Sequence, residues 1–120
     1  MAGRFALYTD ADVPGAIVDG LVRTGWDVVR AVDLHPEGTD DLVHFEHALR
    51  EGRVLVAPDE DQEDIALRWL VEGRSFPGLV TWEREHEGRM TVGDFLRQLE
   101  ALAEQDEPLR YPLVYLKPRG

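Results

Sequence analysis

Short apolar runs alternate along the chain with longer stretches in which apolar residues recur every three or four positions, the period of an amphipathic helix. A first strand is predicted at residues 4–9, where Phe5, Ala6, Leu7 and Tyr8 follow one another. A helix then starts near Asp12, turns Ile17, Val18, Leu21 and Val22 inward and stops at Gly25. Residues 26–32 read as a second strand, with Val28, Val29, Ala31 and Val32 as its apolar content. Thr39 has the character of an N-cap, with Asp40 and Asp41 in the dipole-favoured first turn and Leu42, Phe45 and Leu49 as the buried stripe of the next helix. Gly52 closes that helix and introduces a sharply bounded, β-branched strand at residues 53–57.

The alternation continues to the end. Ile65, Ala66, Trp69 and Leu70 mark one side of a third helix that ends at Gly73. Pro77-Gly78 leads into a strand at 79–82, and the polar segment 83–89 reads as a loop. Thr91 and Asp94 form the pattern of a capping box ahead of the stripe Val92, Phe95, Leu96, Leu99, Leu102 and Ala103. Pro108 breaks this helix, and residues 111–116 form a last strand. Five strands alternating with four helices predict a three-layer α/β/α sandwich with a largely parallel five-stranded sheet, because right-handed crossovers put the helices on both faces. The whole of residues 1–120 is one domain, with 117–120 expected to fray.

Composition narrows the chemistry. The chain has 120 residues, 43% of them apolar, and no cysteine, which excludes disulfides and thiolate-bound zinc. No apolar stretch approaches the roughly 20 residues that span a bilayer, and residues 1–4 lead into a strand rather than a signal peptide, so a cytoplasmic protein without a membrane partner is expected. The formal charge of −11 works against nucleic-acid binding, which draws on phosphate neutralisation by Lys and Arg. RNA as a partner therefore needs a cation or a local arginine patch. Arg53, Arg68, Arg74, Arg84 and Arg89 are available, although surface salt bridging is the ordinary role of each.

The aspartates carry the candidate chemistry. Asp10 and Asp12 follow the first strand, and Asp59 and Asp61 follow the third. In a parallel sheet both pairs emerge at the carboxyl edge, where open α/β sheets hold ligands. Clustered carboxylates repel unless a cation or shared protons compensate, and oxygen donors without thiolates suit Mg2+ or Mn2+. Such an ion supports metal-assisted hydrolysis of a phosphodiester. Each acid has a plainer role as well: Asp12 as a helix cap, Asp40 and Asp41 as dipole partners, Asp59 and Asp61 as part of a solvated acidic helix start. Asp10, at the end of a central strand, has the least structural use. His44 and His47 fall opposite the stripe of Leu42, Phe45 and Leu49 and are expected in solvent. His35 and His86 fall in loops without an evident partner. There is no nucleophile elbow, phosphate-binding glycine loop or dinucleotide fingerprint.

Several segments together resemble the compact PIN-like domains related to nuclease toxins of toxin-antitoxin operons. They are Thr9-Asp10-Ala11-Asp12-Val13-Pro14, Gly25-Trp26-Asp27-Val28-Val29, Thr39-Asp40-Asp41 and the run from Glu51 through Arg53-Val54-Leu55-Val56 to Asp59-Glu60-Asp61. Phe76-Pro77-Gly78-Leu79-Val80 continues the likeness, which covers about the first two thirds of the chain. The resemblance implies a PIN-like fold and a magnesium-dependent endoribonuclease, with Asp10, Asp40, Asp59 and Asp61 as catalytic and metal-binding residues. An antitoxin protein and a homodimer are the partners compatible with it. The chain departs from the pattern at Ala11, at Ala57-Pro58, where relatives commonly have Thr-Asn, and at Gln62, where Phe is usual. The loss of such a hydroxyl and amide around a metal typically costs roughly 10- to 100-fold in affinity or activity. A PIN-like module that binds metal or protein without catalysis is therefore an alternative.

A different class fits the same layout. Phosphorelay receiver domains place acids after the first strand, a phosphoacceptor Asp after the third, a hydroxyl after the fourth and Lys-Pro after the fifth. Asp10, Asp12, Asp59, Thr81 and Lys117-Pro118 stand in those places, but the Met-Pro-Gly segment usual downstream of the phosphoacceptor is missing after Asp59.

Overall fold

A computed structural model describes residues 4–36, 38–58, 60–105 and 112–118, and the side chains of Glu60 and Asp61 lie outside that description. The described residues form five strands, β1 (Leu7–Thr9), β2 (Val28–Arg30), β3 (Val54–Val56), β4 (Leu79–Thr81) and β5 (Leu113–Tyr115). Between them lie α1 (Gly15–Arg23), α2 (Ala31–Leu34), α3 (Asp41–Arg50), α4 (Glu60–Val71), α5 (Arg84–Glu87) and α6 (Val92–Glu104). All strand pairs are parallel, in the order β2-β1-β3-β4-β5. The predicted three-layer α/β/α architecture with a parallel five-stranded sheet is therefore present.

Strand alternation divides the core in two. Leu7, Val54, Val56 and Val80 point to one face, where Ile17 and Leu21 of α1 and Phe95 and Leu99 of α6 cover them. Tyr8, Leu55 and Leu79 point to the other, under Phe45 and Ala48 of α3 and Ile65, Ala66 and Trp69 of α4. With both faces covered, the strands are apolar throughout rather than alternating in polarity, as parallel sheets require. Gly20 marks the close approach of α1 to α6, since a Cβ there would lie 3.1 Å from Cγ1 of Val92. Arg4 and the Trp26 indole both donate to Oε1 of Glu100, at 2.6 and 2.9 Å, which ties the start of the chain to α6.

Several local expectations change, and Val22 and Leu42, both read as facing the core, are 56% and 39% exposed. The second strand stops at Arg30 because its partner β1 stops at Thr9, the residue paired with Arg30. The chain turns at once into α2, which buries Ala31 and leaves Val32 47% exposed. The segment read as a loop contains the single helical turn α5, whose Glu87 accepts from the indole of Trp82 at 3.1 Å. Its lack of apolar periodicity hid it from the pattern. Thr39 does not cap α3; Asp40 does, accepting from the amide of Leu42 at 3.1 Å. The capping box of Thr91 and Asp94 on α6 forms as expected. Among the described residues no helix is long and apolar enough to cross a membrane.

Candidate functional site at the carboxyl edge of the sheet

The connection from β1 leads to β2 on one side, while β3 lies on the other. In a doubly wound sheet the carboxyl ends at such a reversal of direction open a crevice. Asp10 sits there, one residue beyond β1, and its amide donates to the Val56 carbonyl of β3 at 3.0 Å. The side chain is 6% exposed, and its Oδ1 accepts from the Ala11 amide at 2.9 Å. Asp10 therefore also shapes its own turn, a structural use that the sequence did not reveal.

A crevice of about 590 Å3 opens beside it, with Asp10, Asp12, His35, Asp41 and His44 among its walls. Asp12 does not cap α1, whose N-cap is Pro14, and instead pairs with Arg84 at 3.2 Å. Of the neighbouring acids Asp40 and Asp41, the first is committed to its cap and faces a separate crevice of about 330 Å3 shared with Asp64 and Arg68. The second lines both that crevice and the one beside Asp10. Gln62 of α4 is completely buried, and its amide donates to the Asp41 backbone carbonyl at 3.3 Å and lies 3.5 Å from Oδ1. Gln62 thus braces Asp41, an acid of the crevice. Asp59 lies outside the described residues, as does the side chain of Asp61, whose backbone belongs to α4. Ala57 is fully buried in the core.

The histidines depart most from expectation. His44 is buried rather than solvated, because the Tyr8 hydroxyl supplies a partner for its Nδ1 at 3.0 Å. Burial, then the neighbouring His35 and His47, push its pKa below the ordinary value of 6.5 and favour the neutral ring. Burial, followed by repulsion from Asp10, raises the Tyr8 phenol to about 12, so it stays protonated and is placed to donate. His35 has a partner after all: its Nε2 lies 2.9 Å from Nδ1 of His47, and Nε2 of His47 bonds Oε2 of Glu51. The His47 bond, with Arg53 adding to it, holds the Glu51 carboxyl below its ordinary range. Spacing hints at this only weakly, since His47 and Glu51 stand four residues apart on one helix face while His35 comes from another element.

One group of three His, Asp or Glu ligand atoms lies within 4.8 Å of one another among the described residues: Glu83, Glu85 and His86. His86 Nε2 is 3.7 Å from Glu83 and 4.0 Å from Glu85, on the exposed edge of α5. Another crevice, of about 500 Å3, contains Thr81, Glu63, Glu83 and Tyr115 at the ends of β4 and β5. Burial, then donation of its hydroxyl hydrogen to the Glu63 carboxylate, raises the Tyr115 phenol to about 12.

No family model matches the chain, and no match is found among curated proteins or among solved structures.

Proposed function

We propose that this chain is a divalent-cation-dependent ribonuclease of the PIN-like kind, working in the crevice beside Asp10. The observation that carries the reading is the burial of the Asp10 carboxylate at the end of the inner strand β1, on a crevice whose walls also include Asp12 and Asp41. The donor set is hard oxygen, and Mg2+ is commonly held by one or two carboxylates together with water and substrate phosphates, so three converging protein ligands are not required. Asp10 and Asp41 are the residues that would hold it, with Asp59 and Asp61 added by the resemblance. Once bound, the ion supplies charge neutralisation at the phosphate and a more acidic water. The chain's own contribution is orientation. The Ala11 amide fixes one oxygen of Asp10, and Gln62 braces Asp41. At a net charge of −11, the cation is also what makes an RNA phosphate welcome. A homodimer or an antitoxin-type protein is the partner that belongs with this reading, in an intracellular setting.

The test is hydrolysis of mixed single-stranded RNA with Mg2+ or Mn2+, beside Asp10→Asn, Asp41→Asn and Asp59→Asn. Cleavage should need the metal and fall by more than roughly 100-fold in Asp10→Asn, beyond the loss typical of an outer-shell residue. Cleavage that survives Asp10→Asn and Asp59→Asn sinks the assignment. Calorimetric binding of Mg2+ without cleavage would favour the non-catalytic metal-binding module, for which the apolar packing of Ala57 speaks.

A receiver-like role has one observation in its favour, the strand order, which receiver domains share. Thr81 weighs against it, because it opens on the crevice at β4 and β5 rather than the one beside Asp10. Labelling by acetyl phosphate that is lost only in Asp59→Asn would select this role.

A further inference from the structure

We infer that His35 is the proton acceptor of the Asp10 crevice, oriented through His47 by Glu51. The inference rests on the ribonuclease reading for its reaction, and on hydrogen-bond geometry for its residues. Glu51 is an ionised acceptor, so the Nε2 of His47 that faces it carries a hydrogen. A neutral His47 then presents a bare Nδ1, which can only accept. The partner at that nitrogen is Nε2 of His35, at 2.9 Å, so His35 donates there and keeps its own lone pair on Nδ1. The residue left with that lone pair is the one that lines the crevice with Asp10 and Asp41.

The chain of partners also gives the acquired charge a place to go. When Nδ1 of His35 takes a proton from water, its Nε2 hydrogen can pass to Nδ1 of His47. The resulting imidazolium lies against the Glu51 carboxylate, which holds it without itself being protonated, as the third member of a nucleophile-base-acid arrangement does. The water oxygen forms its bond to phosphorus, the bond from phosphorus to the leaving ribose oxygen breaks, and that oxygen takes a proton from solvent. His35 is thus the base, and His47 and Glu51 are positioning residues.

The surroundings of the pair come from several elements. The Tyr8 ring of β1 lies 5.2 Å from His47, and the His44 ring of α3 lies 5.3 Å from His35. Tyr8 and His44 satisfy one another and are both biased to their neutral forms. Arg53, next to β3, donates to the other oxygen of Glu51 at 3.2 Å, and so keeps that group anionic while leaving Oε2 to His47. Asp10 and Asp41 supply negative charge to the same crevice.

Two readouts on the full chain test the relay. Nitrogen-resolved NMR of the histidine rings should find Nε2 hydrogens on His35 and His47 protected from exchange, with Nδ1 of His35 bare. Glu51→Gln and His47→Ala should remove the protection at His35, while Glu51→Asp should retain part of it and controls for folding. In RNA hydrolysis, His35→Ala should lose about 100-fold or more and regain rate with added imidazole. Glu51→Gln should move the acidic limb of the rate profile to lower pH, because the anion that stabilises the imidazolium is gone. A hydrogen on Nδ1 of His35, or a rate profile unmoved in Glu51→Gln, overturns the relay. Protected Nε2 hydrogens in a protein that cuts no RNA overturn the ribonuclease reading and leave the relay standing.

Discussion

The phenolic oxygen of Tyr8 lies 3.0 Å from Nδ1 of His44, so one buried hydrogen bond joins the inner strand β1 to α3 beside the crevice that His44 lines. It explains why a histidine occupies a position that helical periodicity assigns to solvent. A buried polar ring is tolerated when its nitrogen is satisfied.

That bond makes the fold sensitive to mild acid. The pKa of His44 is lowered in the folded protein, so the unfolded chain binds the extra proton first. Its contribution is complete above the ordinary value of 6.5 and is lost as the pH falls through the lower folded value. Thermal unfolding midpoints at pH 7.5 and 5.5 should fall further in the natural sequence than in His44→Gln. Equal falls would refute the assignment. Glu51 and Asp94 also have lowered pKa values, but they start from ordinary values of 4.5 and 3.8 and act in a more acidic range.

Removing the hydroxyl tests the same bond from the other side. Tyr8→Phe leaves Nδ1 of His44 buried without its donor and should cost about 1–3 kcal/mol in chemical denaturation at pH 7. The sign at high pH is opposite to that for His44. The raised phenol of Tyr8 favours the fold fully below its ordinary value of 10.0, and this is lost as the pH rises through about 12. The alkaline unfolding limb should therefore be shallower in Tyr8→Phe.

Gln62 should separate activity from stability. Its Nε2 reaches Asp41, whereas its Oε1 is buried with no hydrogen-bond partner among the described residues. Gln62→Leu removes both at similar volume, so unfolding free energy should change by less than about 1 kcal/mol or rise. Metal-dependent cleavage should nevertheless fall by roughly 10- to 100-fold, the usual cost of losing an outer brace. Parallel denaturation and single-turnover cleavage measure the two; unchanged cleavage would remove Gln62 from the site.

The capping box of α6 gives a purely structural control. The Thr91 hydroxyl accepts from the Asp94 amide at 3.1 Å, and Asp94 accepts from the Thr91 amide at 2.9 Å. Thr91→Ala should cost about 1 kcal/mol, and Thr91→Ser a few tenths at most. Cleavage per folded molecule should not change, because α6 packs on the face away from α3.

The order and type of the main elements were legible in the sequence because each depends on a local period. Val54-Leu55-Val56 are buried as their pattern predicts, and of the six-residue stripe on α6 Phe95, Leu99 and Ala103 are buried while Val92, Leu96 and Leu102 are partly so. The errors arose where a neighbour decided the outcome. Arg30 ends β2 because Thr9 ends β1, and His44 turns inward because Tyr8 lies opposite it. At the crevice, the place of Asp10 after a strand was legible, whereas Asp41, read from its place at a helix start only as a dipole partner, is the acid of the α3 pair that lines it. The chain His35, His47 and Glu51 was not legible, since it is assembled across two elements whose relative position only the fold supplies.

The helix α6 closes a core that the first strand opens. Phe95 and Leu99 are needed to cover Leu7 and Val54, and Glu100 receives Arg4 and Trp26. During synthesis, at roughly 5–20 residues per second, Leu7 waits several seconds for that cover to be made. Over this interval one side of the nascent sheet is sheltered by α1 alone. A ribosome that stalls before Thr91 should therefore leave that side of the sheet without the cover of Phe95 and Leu99.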